Sequence, residues 1–265
     1  LFQVAAVYKT YALDPQKEII EPSITGGINA LRAAKDAGVK KVVFTSSVAA
    51  VGSHAEASQP LTEENWNDGA QDPYFYAKTE AERRAWAFAK ESGLNLVVVN
   101  PGAVIGPHFH RHTPSTQAFE LLLRGKLPLV LPVGFTFVDV RDVAEAHIHA
   151  YEHAQAAGRY LAVDRYCSML ELMALCKEID PRLKAPTLAA PVWSLGLVAG
   201  FDWLGHKLTG APRLVTRGMV REMGGKYQRA SSEKIRRELG WQPMDFKRSV
   251  ADTLAWVRAQ FLNGK

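Results

Sequence analysis

The chain has 265 residues, 47% of them hydrophobic and 22% charged, which is the composition of an ordinary globular protein with enough apolar length for a large core. Its net charge of +5 is spread among carboxylates rather than gathered in blocks, which argues against a nucleic-acid partner. Cys167 and Cys176 lack metal-site spacing, so a reducing, cytoplasmic setting is expected. No signal peptide and no integral membrane segment is expected either. The most apolar run, 188–204, is broken by Pro191, Gly196, Gly200 and Asp202 and reads as one or two buried or interfacial helices.

In chain order, Leu1–Ala6 reads as the tail of a buried parallel strand. A helix follows over 15–37, interrupted early by Pro22, with Ile24, Ile28, Leu31 and Ala34 at helical spacing and Gly38 as its stop. Val42–Thr45 is a short buried strand that delivers Ser46 and Ser47 at its carboxyl end, the place where ligands bind in open α/β sheets. After the polar stretch 60–72, a helix runs from Tyr74 to about Glu91, with Ala81, Ala85, Trp86 and Ala89 facing inward and Gly93 ending it. Leu94–Val99 is the next strand, and the loop Asn100-Pro101-Gly102-Ala103-Val104 leaves its carboxyl end.

His108, His110 and His112 alternate beyond that loop, but no carboxylate or cysteine accompanies them. They read as solvated or substrate-facing, and no metal is expected. Farther on, helices are predicted over 119–124, 169–178, 213–223 and 231–239, with a strand and turn over 130–144 leading into another helix and a last core strand over 159–163. The helix at 231–239 has a serine at its start and Gly240 at its stop.

The chemistry is concentrated between 40 and 78. Tyr74 and Lys78 are four apart, so a helix stacks them on one face. An ammonium so placed can stabilise a phenolate, which lets a tyrosine act as an acid or base near neutral pH. Tyr-x-x-x-Lys alone is a weak signal; a strand ending in Thr-Ser-Ser upstream of it makes the signal strong.

That combination resembles the catalytic signature of the short-chain dehydrogenase/reductase superfamily. The contexts Val-Phe-Thr-Ser-Ser, Tyr-Phe-Tyr-Ala-Lys-Thr-Glu-Ala-Glu and Phe-Val-Asp-Val-Arg-Asp-Val-Ala are similar to its extended branch, the NAD-dependent epimerase/dehydratase family, and within it to the dihydroflavonol-4-reductase-like group. The resemblance implies an α/β fold: a doubly wound, Rossmann-like, mostly parallel sheet lacking its first strands, with a small C-terminal substrate lobe. It divides the chain into 1–164, the remainder of the dinucleotide-binding domain with lobe pieces in 101–135, and 165–265, the lobe.

It also implies an NADP- or NAD-dependent oxidoreductase with Ser47, Tyr74 and Lys78 as catalytic residues. The cofactor would lie against Ala5, Ala6, Thr45, Ser46, Tyr74, Lys78, Pro101, Gly102, Ala103 and Val104. A small-molecule substrate would meet Tyr8, Val48, Ala49 and His108. Lys78 is expected to depress the Tyr74 pKa, and helices 17–37 and 74–91 to pair in a homodimer.

Three departures qualify the resemblance. Ser23 stands where many members carry an active-site asparagine, and Phe135 stands where nucleotide-sugar enzymes commonly carry an arginine. No glycine-rich dinucleotide turn follows a strand anywhere in the chain. An upstream segment of about 60–80 residues would be needed to hold it. A nucleotide-sugar epimerase or dehydratase and a non-catalytic nucleotide sensor on the same fold are the alternatives to a reductase.

Overall fold

Strand residues alternate between faces, so a buried strand needs apolar side chains on both and a helical layer to cover each. The computed structural model, which describes every residue except 10, 57, 112, 128, 211, 212, 214 and 263–265, meets that requirement in a central sheet. In chain order the first half contains β1 (Phe2–Gln3), α1 (Glu21–Asp36), β2 (Val42–Thr45), α2 (Pro73–Ser92), β3 (Leu96–Pro101), β4 (Ala103–Ile105) and α3 (Pro114–Leu123). The second half contains β5 (Gly134–Asp139), α4 (Val140–Glu152), β6 (Gly158–Ala162), β7 (Arg165–Ser168), α5 (Met169–Ile179), α6 (Leu195–Thr209), α7 (Arg217–Met223), α8 (Glu233–Leu239) and α9 (Phe246–Phe261).

The central sheet has the order β1-β2-β3-β6, all parallel, with Val43 paired to both Phe2 and Val97. Val42, Phe44, Leu96 and Val98 face Leu31 and Ala34 of α1 and Ala85 and Ala89 of α2. Their neighbours Val43, Val97 and Val99 face the other way, onto Ala146 and Ala150 of α4, Ile235 and Leu239 of α8, and Trp241. Trp241 is fully buried, and its indole N–H donates to the Asp142 carbonyl at 2.8 Å. The Leu-Gly-Trp segment therefore closes the sheet's second face. A smaller sheet, β4-β5-β7, runs parallel between β4 and β5 and antiparallel between β5 and β7. With α3, α5 and α9 it builds a second core around Phe119, Phe137, Met173 and Leu254.

Several expectations need correction. Only Phe2–Gln3 of the Leu1–Ala6 run is strand, and Ala5 and Ala6 are exposed. Pro22 does not interrupt its helix: it sits in the first turn of α1, where no N–H is required. Before it, Gln16–Ile20 forms a π turn. The Asn100–Val104 stretch is a change of sheet rather than a loop, with Pro101 paired to Ala162 in the first sheet and Ala103 to Phe137 in the second. Gly102 is the pivot, packed so closely that a Cβ there would collide with the Thr136 carbonyl oxygen. The helix expected at 213–223 begins only at Arg217, where Thr216 caps it by accepting from the Met219 N–H. The strand β7 and the helix α9 were not anticipated.

Candidate active site

Helix α2 owes its start, and hence the phase of its side chains, to Asp72 and Pro73. The Asp72 carboxylate accepts the Tyr74 N–H at 3.0 Å, and Pro73 occupies the first helical position. The α7 region locks this start, because Glu222 accepts the Asp72 N–H and Thr216 donates to the Asp72 carboxylate at 3.3 Å. Tyr74 thus lies in the first turn and Lys78 one turn on. Ser47 stands opposite at the end of β2, extended, its hydroxyl accepting the Ala49 N–H at 3.1 Å. Ser47 lies close enough to the Tyr74 phenol to pull its pKa downward as a polar neighbour, so the structure brings two of the three expected catalytic groups together.

Lys78 is buried, yet its amine makes no hydrogen bond or ion pair among the described residues. Burial pushes it down to about 8, against the upward pull of Glu82 one turn further along. Tyr74 moves the other way. Burial first, then Tyr8 and Asp72, push its phenol well above the ordinary range, and Ser47 opposes them only in part. The expectation that Lys78 depresses Tyr74 is therefore overturned here: desolvation of the phenolate outweighs any help from a cation that burial has itself weakened.

The other expected residues are placed as follows. Thr45 has its hydroxyl bonded to His147 Nε2 at 2.6 Å. The Ser46 Oγ is buried without a partner among the described residues. Tyr8 lies with its ring 5.4 Å from that of Tyr74 and its hydroxyl 3.1 Å from Ser115. Val48 and Ala49 are buried in a short 3-10 turn, Val48 packed against Val51, Leu61 and Leu161. His108 is exposed, and among the described residues it is the one non-glycine at positive φ, 72°. His112 lies outside the described residues, and among those described no three metal-ligating side chains gather. Ser23 is turned back toward the preceding π turn, donating to the Ile19 carbonyl at 2.6 Å.

Two residues escaped the sequence reading. Asn100, next to last in β3, is fully buried: its Nδ2 donates to the Glu82 carboxylate at 2.8 Å and to the Ser47 carbonyl at 3.2 Å, while its Oδ1 has no partner among the described residues. Glu82 is the hub beneath, paired with Arg159 at 2.6 Å, both buried. A lone polar residue closing the run Leu-Val-Val-Val was the available signal for Asn100. Glu82 had none, because a glutamate on a helix ordinarily reads as solvated. A cavity of about 770 Å³ lined by Thr62, Glu63, Trp66, Arg159 and Lys234, among others, contains none of Ser47, Tyr74 or Lys78.

A model of the NAD dependent epimerase/dehydratase family matches residues 2–163. The chain belongs to that family. All of the expected site residues fall inside the matched stretch. Among relatives, the chain is 35% identical over 199 residues to a cinnamoyl-CoA reductase of Medicago truncatula, covering 72% of this chain and 61% of that protein. It is 31% identical over 198 residues to a bifunctional dihydroflavonol 4-reductase/flavanone 4-reductase of Malus domestica, covering 71% and 57%. The chain thus spans less than two thirds of the length of either. Among solved structures, Gre2 of Candida albicans in complex with NADPH superposes with a TM-score of 0.73 at 26% identity, covering 98% of this chain and 77% of that one. The fold is the family's Rossmann-like α/β arrangement.

Proposed function

We propose an NAD(P)-dependent oxidoreductase that reduces a carbonyl, or oxidises the matching alcohol, on a small to moderately apolar substrate. The observation that carries this reading is Lys78, a buried amine with no hydrogen bond or ion pair among the described residues, one turn from the Tyr74 phenol beside which Ser47 stands. A buried cation is retained against its desolvation cost where a ligand completes its coordination. The orphaned Ser46 Oγ and Asn100 Oδ1 at the carboxyl ends of β2 and β3 fit the same ligand.

When bound, NADPH or NADH supplies the hydride chemistry. Lys78 would hold its ribose, with Ala5 and Ala6, Thr45, Ser46 and the Pro101–Val104 backbone along its length. Ser47 holds the substrate carbonyl oxygen and Tyr74 gives it a proton. Burial keeps the phenol protonated, which suits a donor, and the Lys78 ammonium stabilises the phenolate as the proton leaves. Tyr8 and His108 face the substrate, over a floor that includes Val48 and Ala49.

Phe135 favours this reading over a nucleotide-sugar enzyme. Its ring packs 6.0 Å from Phe137, so the position offers a diphosphate an apolar surface and no guanidinium. Residues 1–164 serve as the dinucleotide-binding unit and 165–265, with pieces of 101–135, as the substrate lobe, tied back by α8. A homodimer through helices 17–37 and 74–91, in the cytoplasm, completes the proposal; a monomer in light scattering would remove the dimer. The test of the chemistry is Tyr74→Phe in the intact protein, followed by NADPH oxidation over a panel of aldehydes and ketones. It should lower kcat by about 10²–10⁴ and leave cofactor affinity nearly unchanged. Damage from Tyr76→Phe instead, with Tyr74→Phe silent, would place the acid elsewhere.

A further inference from the structure

Helix α6 is apolar on more sides than the protein covers. Leu195 and Ala199 are buried against the lobe, Asp202 is ion-paired with Arg213 at 3.0 Å, and His206 meets the Tyr11 hydroxyl at 3.2 Å. These residues, at helical spacing, define the inner face. On the outer face Trp193, in the 3-10 turn just before the helix, is followed by Leu197, Phe201, Leu204 and Leu208. Their spacing of three and four stacks them into one stripe, and all five are exposed, Trp193, Phe201 and Leu208 each by about three quarters. A helix that is apolar all round is normally buried, and an exposed stripe of this size is a binding surface rather than ordinary surface.

Charge identifies the occupant. Residues 182–229, which contain the stripe, carry eight lysines and arginines against two carboxylates, while the whole chain has a net charge of only +5. Both carboxylates are spent within the protein, Asp202 on Arg213 and Glu222 on the backbone N–H of Asp72, and of the cations Arg213 and Arg182 are likewise paired, the latter with Asp180. Lys207 stands exposed beside the stripe, its amine 5.9 Å from the Trp203 ring. Apolar and indole side chains with the Lys207 ammonium beside them, in a stretch of net positive charge, match an anionic lipid surface, whose acyl boundary takes the one and whose headgroups take the other. A second copy of the lobe would bring like charge against like charge.

Among the described residues no helix is long and apolar enough to cross a membrane. With 15 residues α6 is about 22 Å long, which suits a helix lying in the plane of the interface. We propose that the α6 face docks the protein on an anionic lipid surface, with the stripe at the acyl boundary and Lys207 among the headgroups.

The experiment is co-sedimentation of the intact protein with vesicles of equal parts phosphatidylglycerol and phosphatidylcholine, and with phosphatidylcholine alone. Binding should favour the anionic vesicles, weaken with added salt, and shift Trp fluorescence to shorter wavelength. Lys207→Ala should weaken binding about fivefold. The pair Leu197→Gln and Phe201→Gln should abolish it; both side chains are exposed, so an unchanged thermal melt will report an intact fold. Three results would overturn the proposal: equal or absent binding to the two vesicle types, binding indifferent to the double substitution, or a dimer in light scattering that the double substitution splits.

Discussion

Two adjacent turns of α2 carry buried charge and treat it in opposite ways. Around Glu82 each charge has a partner. The carboxylate takes Arg159, the Asn100 amide and the Trp86 indole, and Arg159 also donates to the Glu63 and Asn65 carbonyls while stacking on Trp66 at 3.9 Å. One turn earlier Lys78 has no such partner, and Ser46 and Asn100 each keep one buried oxygen unpaired among the described residues. Asn100 straddles the two regions, with its amide nitrogen in the satisfied one and its oxygen left over. The difference teaches that the orphaned groups are not a failure of packing. The same helix satisfies a buried charge completely 6 Å or so along its axis, at about 1.5 Å per residue, and the unpaired groups cluster at the carboxyl ends of β2 and β3, where the proposed cofactor would lie.

Breaking the satisfied region should have the largest effect. Glu82→Ala leaves the Arg159 guanidinium buried and unpaired, and should cost about 3–5 kcal/mol in chemical denaturation. It should also loosen Ser47, whose carbonyl Asn100 holds. A loss below about 1 kcal/mol would mean that Arg159 finds solvent or another acceptor and that the hub is not rigid.

Asp142 sharpens the comparison from a third position. It is buried, it accepts the Met244 N–H at 3.1 Å, and burial lifts its carboxyl to about 6. Because its folded-state pKa lies above the unfolded one, the neutral form suits the fold, and ionisation becomes a cost as pH rises through 6. Asp142→Asn should therefore change little near pH 4 and stabilise by up to about 3 kcal/mol near pH 8. The reverse pH trend, measured by thermal melts, would show that the carboxylate has a cation partner.

Gly102 should give the smallest effect. Gly102→Ala drives a Cβ into the Thr136 carbonyl and should cost about 1–3 kcal/mol. Since it shifts the backbone beside Asn100, cofactor affinity should fall with stability; an unchanged affinity would separate the sheet switch from the binding site.

Much of this was legible because it depends on local spacing. The runs Val42–Thr45 and Leu94–Val99 announce buried parallel strands, and Tyr74 with Lys78 announces a shared helix face whatever surrounds it. What could not be read depends on partners distant in the chain. The Pro101–Val104 stretch reads as a loop until β5, some thirty residues later, arrives to pair with it. Glu82 becomes a hub only when β6 brings Arg159 beneath it. The direction of the Tyr74 shift was missed for a related reason: spacing reveals the helpful cation but not the depth of burial of the phenol it must help.

The most direct test of the account is Lys78→Met in the intact protein, with stability and turnover measured on the same preparation. The folded state holds this amine at about 8 against an ordinary 10.5, so its charge is a cost that is full below pH 8 and fades as pH climbs toward the unfolded value. Without cofactor, the substitution should raise stability by about 3 kcal/mol at pH 7, with the gain shrinking above pH 8, while turnover collapses and NADPH binding weakens. A variant that loses stability at pH 7, or one that keeps both turnover and NADPH affinity, would contradict the claim that this buried cation is kept for the cofactor.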